Sequence, residues 1–209
     1  MSPPGVLGRV RWNCLHHPGT ESSTLVSTDE GWRLSGLMRI RFPEGPTTVR
    51  YGIDCAGDWG PRNVEIDLRR GPIHRVLLIQ VDEEGRWEVA GFPRRDLRGT
   101  QVLDLAASPS TNTIAIRRLA LAVGNTKEVS VAWITFPDLE VRPVVQRYTR
   151  LTDLRYRYEG LHNGFVAEFD VDSLGFVRDY PEFWERARPS RKRPAGHPAR
   201  RSRTRAPPR

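Results

Sequence analysis

Short runs of β-favouring residues, each followed by a turn signal, constrain the fold of this chain more than any other feature. The runs recur at about the 8 to 12 residue spacing that is typical of all-β domains. They cover Trp32–Ile40, Thr47–Asp54, Asn63–Leu68, His74–Val81, Arg86–Val89, Asn112–Ala122, Glu128–Phe136, Val144–Thr149, Phe165–Val171 and Phe176–Asp179. Turn signals such as Gly71-Pro72 and Asn163-Gly164 separate them and supply residues that can reverse a strand. The pattern predicts an all-β fold whose sheet is mostly antiparallel.

Two local patterns refine this prediction. Residues 63–68 alternate strictly between polar and apolar types, so Val64, Ile66 and Leu68 are expected to face the core and the other side of the sheet to face water. Pro181–Ala187 begins with proline and carries acids early, which favours a short helix near the end of the domain.

Charge divides the chain into a domain and a tail. Residues 188–209 contain nine of the 33 Lys and Arg and none of the 25 Asp and Glu, so the rest of the chain is close to neutral. Interleaved prolines and the lack of large apolar residues predict that this basic tail is disordered. We expect a flexible N-terminus over residues 1–8 and one domain over 9–187, a size at which 38% apolar residues can build a core.

Targeting and cofactor signals are weak. The first residues contain no apolar run long enough for a signal peptide, and no run is long enough to cross a bilayer, so we expect a cytoplasmic protein without a transmembrane segment. Cys14 and Cys55 are expected to be reduced thiols in that compartment. The five histidines lack the spacing of a metal site, and no phosphate-binding glycine loop is present. We therefore expect no metal and no cofactor.

The run Asp104–Leu119 places Arg117 and Arg118 side by side in a segment that the periodicity predicts as a strand. Successive strand residues point to opposite faces, so one of the two guanidinium groups is expected to face inward. A buried guanidinium needs an anionic partner. Either it forms an internal ion pair with Asp104, Asp54 or Glu65, or it contacts the head group of a ligand.

Aromatic and polar residues supply the remaining candidates for a binding site. A curved sheet could gather tryptophans and tyrosines into a cleft, with a few polar groups fixing one end of an amphiphile. The alternative is ordinary core packing. The candidate ligand-binding residues are Trp59, Arg62, Asn112, Arg117, Arg118, Trp133, Gln146, Arg147 and Tyr148.

Several separate segments, in a fixed order, carry a family resemblance. They are Trp12, Pro18–Glu21, Gly31–Gly36, Tyr51, Asp54-Cys55, Trp59, Asp104–Leu119, Val131–Ile134, Pro137–Leu139, Gln146–Thr149, Tyr156–Tyr158, Asp170–Asp172, Gly175 and Asp179–Pro181. Through them the chain resembles the glycolipid-binding proteins, a bacterial family first described as a domain of unknown function. Ser110, Ala115 and Gly60-Pro61 depart from the family pattern.

The resemblance implies a single long antiparallel sheet rolled upon itself, a spiral β-roll or half-barrel similar to bacterial lipoprotein carriers. It transfers no catalytic residue. The resulting hypothesis is a non-enzymatic protein that binds a glycolipid or a similar amphiphile. Two alternatives stay open: an enzyme acting on a small anionic substrate, with Asp54, Glu65 or Asp104 as acid or base, and an interaction module that uses the tail.

The basic tail is expected to make weak contact with anionic lipid or nucleic acid through charge attraction, or to be a solvating extension without a partner. Deleting residues 188–209 is predicted to lower binding to liposomes that contain anionic lipid and to leave the thermal unfolding of the domain unchanged. Cosedimentation of both proteins with such liposomes, at low and high salt, measures this. Equal binding by the full and shortened chains would exclude a membrane role for the tail.

Overall fold

The computed structural model describes residues 4–188 and consists mainly of β-strands. The strands are β1 Gly5–Cys14, β2 Gly19–Ser27, β3 Gly31–Phe42, β4 Gly45–Ala56, β5 Pro61–Arg70, β6 Ile73–Val81, β7 Trp87–Val89, β8 Phe92–Pro93, β9 Val102–Leu105, β10 Thr126–Ile134, β11 Val141–Arg150, β12 Arg155–Gly160, β13 Phe165–Asp170, β14 Asp179–Tyr180 and β15 Trp184–Arg186. One α-helix, α1, spans Asn112–Leu119, and a 3₁₀ turn spans Arg95–Leu97. The predicted all-β class is confirmed.

Hydrogen bonding divides the strands between two sheets, where a single sheet had been expected. Sheet A has the order β14-β15-β1-β2-β3-β4-β5-β6-β7-β8, and sheet B has the order β13-β12-β11-β10-β9. Neighbouring strands pair antiparallel except β9 and β10, which are parallel and are connected through α1. The mostly antiparallel pairing is therefore confirmed. Separately, no helix among residues 4–188 is long and apolar enough to cross a bilayer.

The alternation predicted for residues 63–68 is present in β5. Val64, Ile66 and Leu68 are each at most 3% exposed, whereas Asn63 and Glu65 are exposed. Each buried apolar side chain of this size stabilises the fold by about 1.5–3 kcal/mol relative to an exposed position. This repeated burial holds sheet A against the rest of the domain.

The predicted strand Asn112–Ala122 is wrong, because residues 112–119 form α1. Its first five residues are buried, and Arg117 and Arg118 lie in the last turn, where positive charge is favoured by the helix dipole. Ala120 ends the helix in the left-handed conformation with φ of 42°. Arg117 is exposed, whereas Arg118 is partly buried and its Nε has no hydrogen-bond partner within the described residues.

The predicted helix Pro181–Ala187 is also wrong. Residues 181–183 form a turn, in which Glu182 has φ of 69°, and residues 184–186 form β15. β15 pairs with β1, so that Cys14 lies opposite Trp184. The backbone groups of the edge strand β1 gain hydrogen-bond partners in this way, which an isolated helical turn could not provide.

Predictions were made for the segments at both ends of the chain, and the structure describes mainly the first of them. β1 begins at Gly5, so residues 5–8, which were expected to be flexible, belong to the first strand and pair with β2. The predicted tail lies outside the described residues except for Arg188.

Gly36 provides the space that Tyr51 occupies inside sheet A. The two residues are paired across β3 and β4. A Cβ atom at Gly36 would lie 2.2 Å from the Tyr51 hydroxyl oxygen, which is closer than atoms can approach. The tyrosine ring therefore lies over the glycine, and its hydroxyl donates a 2.6 Å hydrogen bond to Oε1 of the buried Glu21.

Gly36→Ala is predicted to lower the free energy of unfolding by about 1–3 kcal/mol, because overpacking must displace the Tyr51 ring and its hydrogen bonds. Chemical denaturation of the purified variant measures the loss. Gly57→Ala is the matched control, since nothing lies within 4 Å of a Cβ at that position. Equal stability of the two variants would show that Tyr51 moves aside without cost.

Candidate functional site

A cavity of about 530 Å³ lies between sheet B and one end of sheet A. Sheet B and the loops next to it contribute Asp104, Leu105, Ala106, Ala107, Ser108, Pro109, Trp133, Tyr158, His162, Asn163 and Phe165, and α1 contributes Asn112. The other wall consists of Cys14, His16, His17, Ile40, Phe42, Tyr180, Phe183 and Trp184. The size falls within the range of about 300–1,000 Å³ that small-molecule sites occupy.

Strand pleating places the polar and aromatic residues of sheet B on one face. Trp133 lies directly opposite Asp104 in the parallel pair, and Tyr148 lies opposite Tyr158 in the antiparallel one. Residues two apart on a strand share a face, so Gln146 lies on the same side as Tyr148. We call this side of sheet B the inner face.

Asp104 is the acidic group that lines the cavity. Thr111 Oγ1 donates a 2.6 Å hydrogen bond to its Oδ1, and Gln146 Nε2 donates a 2.8 Å hydrogen bond to its Oδ2. Tyr148 donates in turn to Gln146 Oε1 and to Asn112 Oδ1, at 3.2 and 3.1 Å. These bonds fix the orientation of the carboxyl group at the cavity wall.

Burial raises the pKa of the Asp104 carboxyl, and the hydrogen bonds from Thr111 and Gln146 oppose that rise. Within residues 4–188 this carboxyl forms no ion pair, although the nearby His162 favours its charged form. A carboxylate has about four acceptor positions, so Asp104 keeps acceptor capacity beyond Thr111, Gln146 and the backbone of Leu105.

Glu21 forms a second polar cluster, which is closed off from the cavity. It is fully buried, and its Oε1 accepts hydrogen bonds from Ser108 and Tyr51 at 2.6 Å and from Ser23 at 3.2 Å. Its Oε2 has no partner within the described residues. Ser108 belongs to both places, because it lines the cavity while its hydroxyl points toward Glu21.

Aromatic rings continue the cavity wall beyond the polar end. Tyr158 contacts the ring of Phe165 at 6.0 Å between centroids, and Phe165 contacts Phe183 at 5.4 Å. Phe183 contacts His16 at 4.7 Å, and His162 lies against Trp133 at 4.7 Å. The wall is therefore largely apolar. Asp104 and Asn112 lie on one polar side of it, and the imidazoles of His16 and His17 pack against the rings of Phe183 and Phe42.

The structure brings four of the predicted site residues to this region. Asn112 and Trp133 line the cavity. Gln146 and Tyr148 lie directly behind it and hold Asp104 and Asn112. These four residues come from α1, β10 and β11.

The other five predicted residues lie elsewhere. Arg117 lies over the ring of Trp59 at 5.4 Å, and Trp59 stacks on Trp32 at 4.8 Å. Arg118 pairs with Asp58 at 2.8 Å, which is none of the partners expected for it. Arg62 donates to the backbone oxygen of Asp82. Arg147 pairs with Glu128 on the face of sheet B opposite to that of Gln146 and Tyr148.

Sequence reasoning gave Glu21 no role and considered Asp104 only as a general acid or base or as an ion-pair partner. A signal for Glu21 was present, since Glu21, Ser23 and Leu25 have the same strand parity and the apolar Leu25 marks that side as buried. His162 and Tyr158 reach the cavity through the β12–β13 hairpin, which no local motif indicates. Within residues 4–188, no group of histidine, cysteine and acidic side chains is arranged to hold a metal ion.

Glu21→Gln is predicted to change how stability depends on pH. Burial raises the pKa of Glu21, so its proton is bound more tightly in the folded state than in the unfolded state. The wild-type protein should therefore lose free energy of unfolding, relative to the variant, as pH rises from about 4 through the raised pKa. Asp104 is present in both proteins, so its contribution cancels.

Urea denaturation of both proteins between pH 4 and pH 8 measures this difference. The informative quantity is how the difference in free energy of unfolding between the two proteins changes with pH. A constant difference reflects only packing. Parallel curves would mean that Glu21 ionises in the folded protein as easily as in water.

Comparisons with known proteins agree with this architecture. The family described as Putative glycolipid-binding matches residues 9–186. A crystal structure of a DUF1089 family protein from Pseudomonas aeruginosa is similar, with a TM-score of 0.73 and 32% identity, and the match covers 80% of this chain and 92% of that chain. Among curated proteins, none matches the chain. Because the family match spans nearly the whole described domain, the chain belongs to the Putative glycolipid-binding family.

Proposed function

We propose that the cavity binds a glycolipid or a similar amphiphile and that the protein is a binding protein without catalytic activity. The observation that carries this proposal is the polarity of the cavity wall. Asp104 and Asn112 form one polar side of the wall, while the rest consists mainly of aromatic rings, with His16 packed against Phe183. A molecule with one polar end and one apolar end matches this division.

The apolar part of the ligand would lie along Phe165, Phe183 and Trp184. Transfer of apolar surface from water to such a wall is favourable by about 25 cal/mol per Å². The family description supports the same class of ligand. Membership alone does not define a ligand, so the proposal rests on the cavity.

An enzyme is the second candidate, and the raised pKa of Asp104 favours it, because general acids commonly have such a shift. Hydrolysis of a glycoside usually needs two carboxyl groups on either side of the bond. Glu21, the other buried acid near the cavity, is fully enclosed behind Ser108. Asp54 pairs with Arg33, and Glu65 lies on the exposed side of β5. Binding therefore agrees better with the geometry.

We further propose that the ligand is met in the cytosol or at the inner surface of the membrane, with the basic tail supplying loose contact with anionic lipid. That tail lies outside the described residues, apart from Arg188. Its proposed role rests on the charge of the sequence alone.

Ala107→Trp is predicted to block binding, because the indole would fill part of the cavity that Ala107 lines. Native mass spectrometry of the wild-type protein, gently purified from a bacterial host, should show an added mass that organic extraction identifies as an amphiphile. The variant should carry at least tenfold less of it. Ala122→Trp is the matched control, since Ala122 is exposed and is not among the cavity residues.

A wild-type protein that is free of any bound mass, and that binds no added alkyl glycoside, would contradict the proposal. Equal loading of wild type and Ala107→Trp would place the ligand elsewhere on the molecule.

A further inference from the structure

We propose that the polar end of the cavity selects an uncharged, polyhydroxylated head group and rejects anionic head groups, with Asp104 as its hydrogen-bond acceptor. This inference rests on the proposed amphiphile-binding function and names the chemistry of the head group. It concerns the region bounded by Asp104, Trp133 and His162, which we call the head-group site.

Charge is the first argument. Among the described residues that line the cavity, none is a lysine or an arginine. The arginines that sequence analysis assigned to an anionic ligand are engaged elsewhere, as with Arg118 on Asp58 and Arg147 on Glu128. A phosphate or sulfate placed beside the Asp104 carboxylate would meet a like charge without a fixed cation to offset it.

The pairing of Trp133 with Asp104 also suits a sugar. Trp133 and Asp104 are direct neighbours across the parallel strands and both line the cavity, so an indole and a carboxylate lie side by side. A pyranose ring presents C–H groups on its face and hydroxyl groups at its edge. Its face can pack on the Trp133 indole while a hydroxyl donates to Asp104, which keeps acceptor capacity.

His162 supplies the third side of this site. Its imidazole packs against Trp133 at 4.7 Å, and the residue is exposed at the cavity wall. No hydrogen bond to its ring nitrogens is seen among residues 4–188. A neutral imidazole has one donor and one acceptor nitrogen, so it can pair with a hydroxyl in either direction.

A cationic head group is the strongest competitor, because aromatic rings beside a carboxylate also attract quaternary ammonium. Two observations favour the uncharged sugar. Thr111 and Gln146 already donate to both oxygens of Asp104, so the carboxyl is oriented without a cation. A quaternary ammonium has no hydrogen-bonding group of its own, so His162 would receive no partner from it.

Three probes with the same decyl chain test the inference on the wild-type protein: decyl β-D-glucoside, decyl phosphate and decyltrimethylammonium. Each is titrated below its micelle-forming concentration at pH 8, and the heat of binding gives the affinity. We expect decyl glucoside to bind at least tenfold more tightly than each of the others. Tighter binding of decyl phosphate or of decyltrimethylammonium overturns the inference.

The outcomes separate this inference from the proposed function. If all three probes bind with equal affinity, the cavity holds the alkyl chain and the proposed function stands, but head-group selection is absent. If none binds, the proposed function itself fails.

Asp104→Asn is the complementary variant. Loss of the charged acceptor should weaken decyl glucoside binding about tenfold. Loss of the negative charge should also reduce the ratio of the affinity for decyl glucoside to the affinity for decyl phosphate. Asp138→Asn is the control, because Asp138 is an exposed acid that pairs with Arg75 and does not line the cavity. Unchanged discrimination in a folded Asp104→Asn protein contradicts the assignment of Asp104, and the wild-type titrations decide the head-group class even if this variant does not fold.

Discussion

The buried carboxyl group of Glu21 is the point at which sheet A meets the segment that carries the cavity. Its Oε1 accepts hydrogen bonds from two residues of sheet A, Ser23 and Tyr51, and from Ser108 in the loop after β9. An unpaired buried carboxyl would cost several kcal/mol, so these hydroxyl groups cannot move away independently. The loop that leads from Asp104 to Asn112 is therefore fixed against sheet A from behind, and its other side forms the cavity wall.

This arrangement gives Glu21 and Asp104 different surroundings. Glu21 is enclosed by hydroxyl groups and holds the structure together. Asp104, four residues before Ser108, borders the cavity and retains acceptor capacity. Burial raises the pKa of both carboxyl groups. Only the access to the cavity distinguishes the structural carboxyl from the one proposed to bind.

Strand periodicity predicted most of the sheets, and it failed where one segment satisfied two patterns. The alternation at Asn63–Leu68 had one apolar face, so its strand and its burial were both predictable. Residues 112–119 contain isoleucines and threonine that suit a strand, yet Ser108, Pro109 and the polar residues after them are also typical of a helix start. Gln146 and Tyr148 were predictable as neighbours on one face, whereas their contacts with Asp104 and Asn112 depend on the packing of α1. The ion pair of Arg118 with Asp58 was not predictable, because nothing in the sequence distinguishes Asp58 from the other acids that precede α1.

The pairing of β15 with β1 has a consequence for how the protein is made. Trp184 lies beside Cys14, and both residues border the cavity. A ribosome releases the first strand long before the last one, so β1 stays an unprotected edge until residues 184–186 have emerged. The cavity is thus one of the last parts of the domain to be completed during synthesis, and a nascent chain that stops short of Trp184 lacks one of its walls.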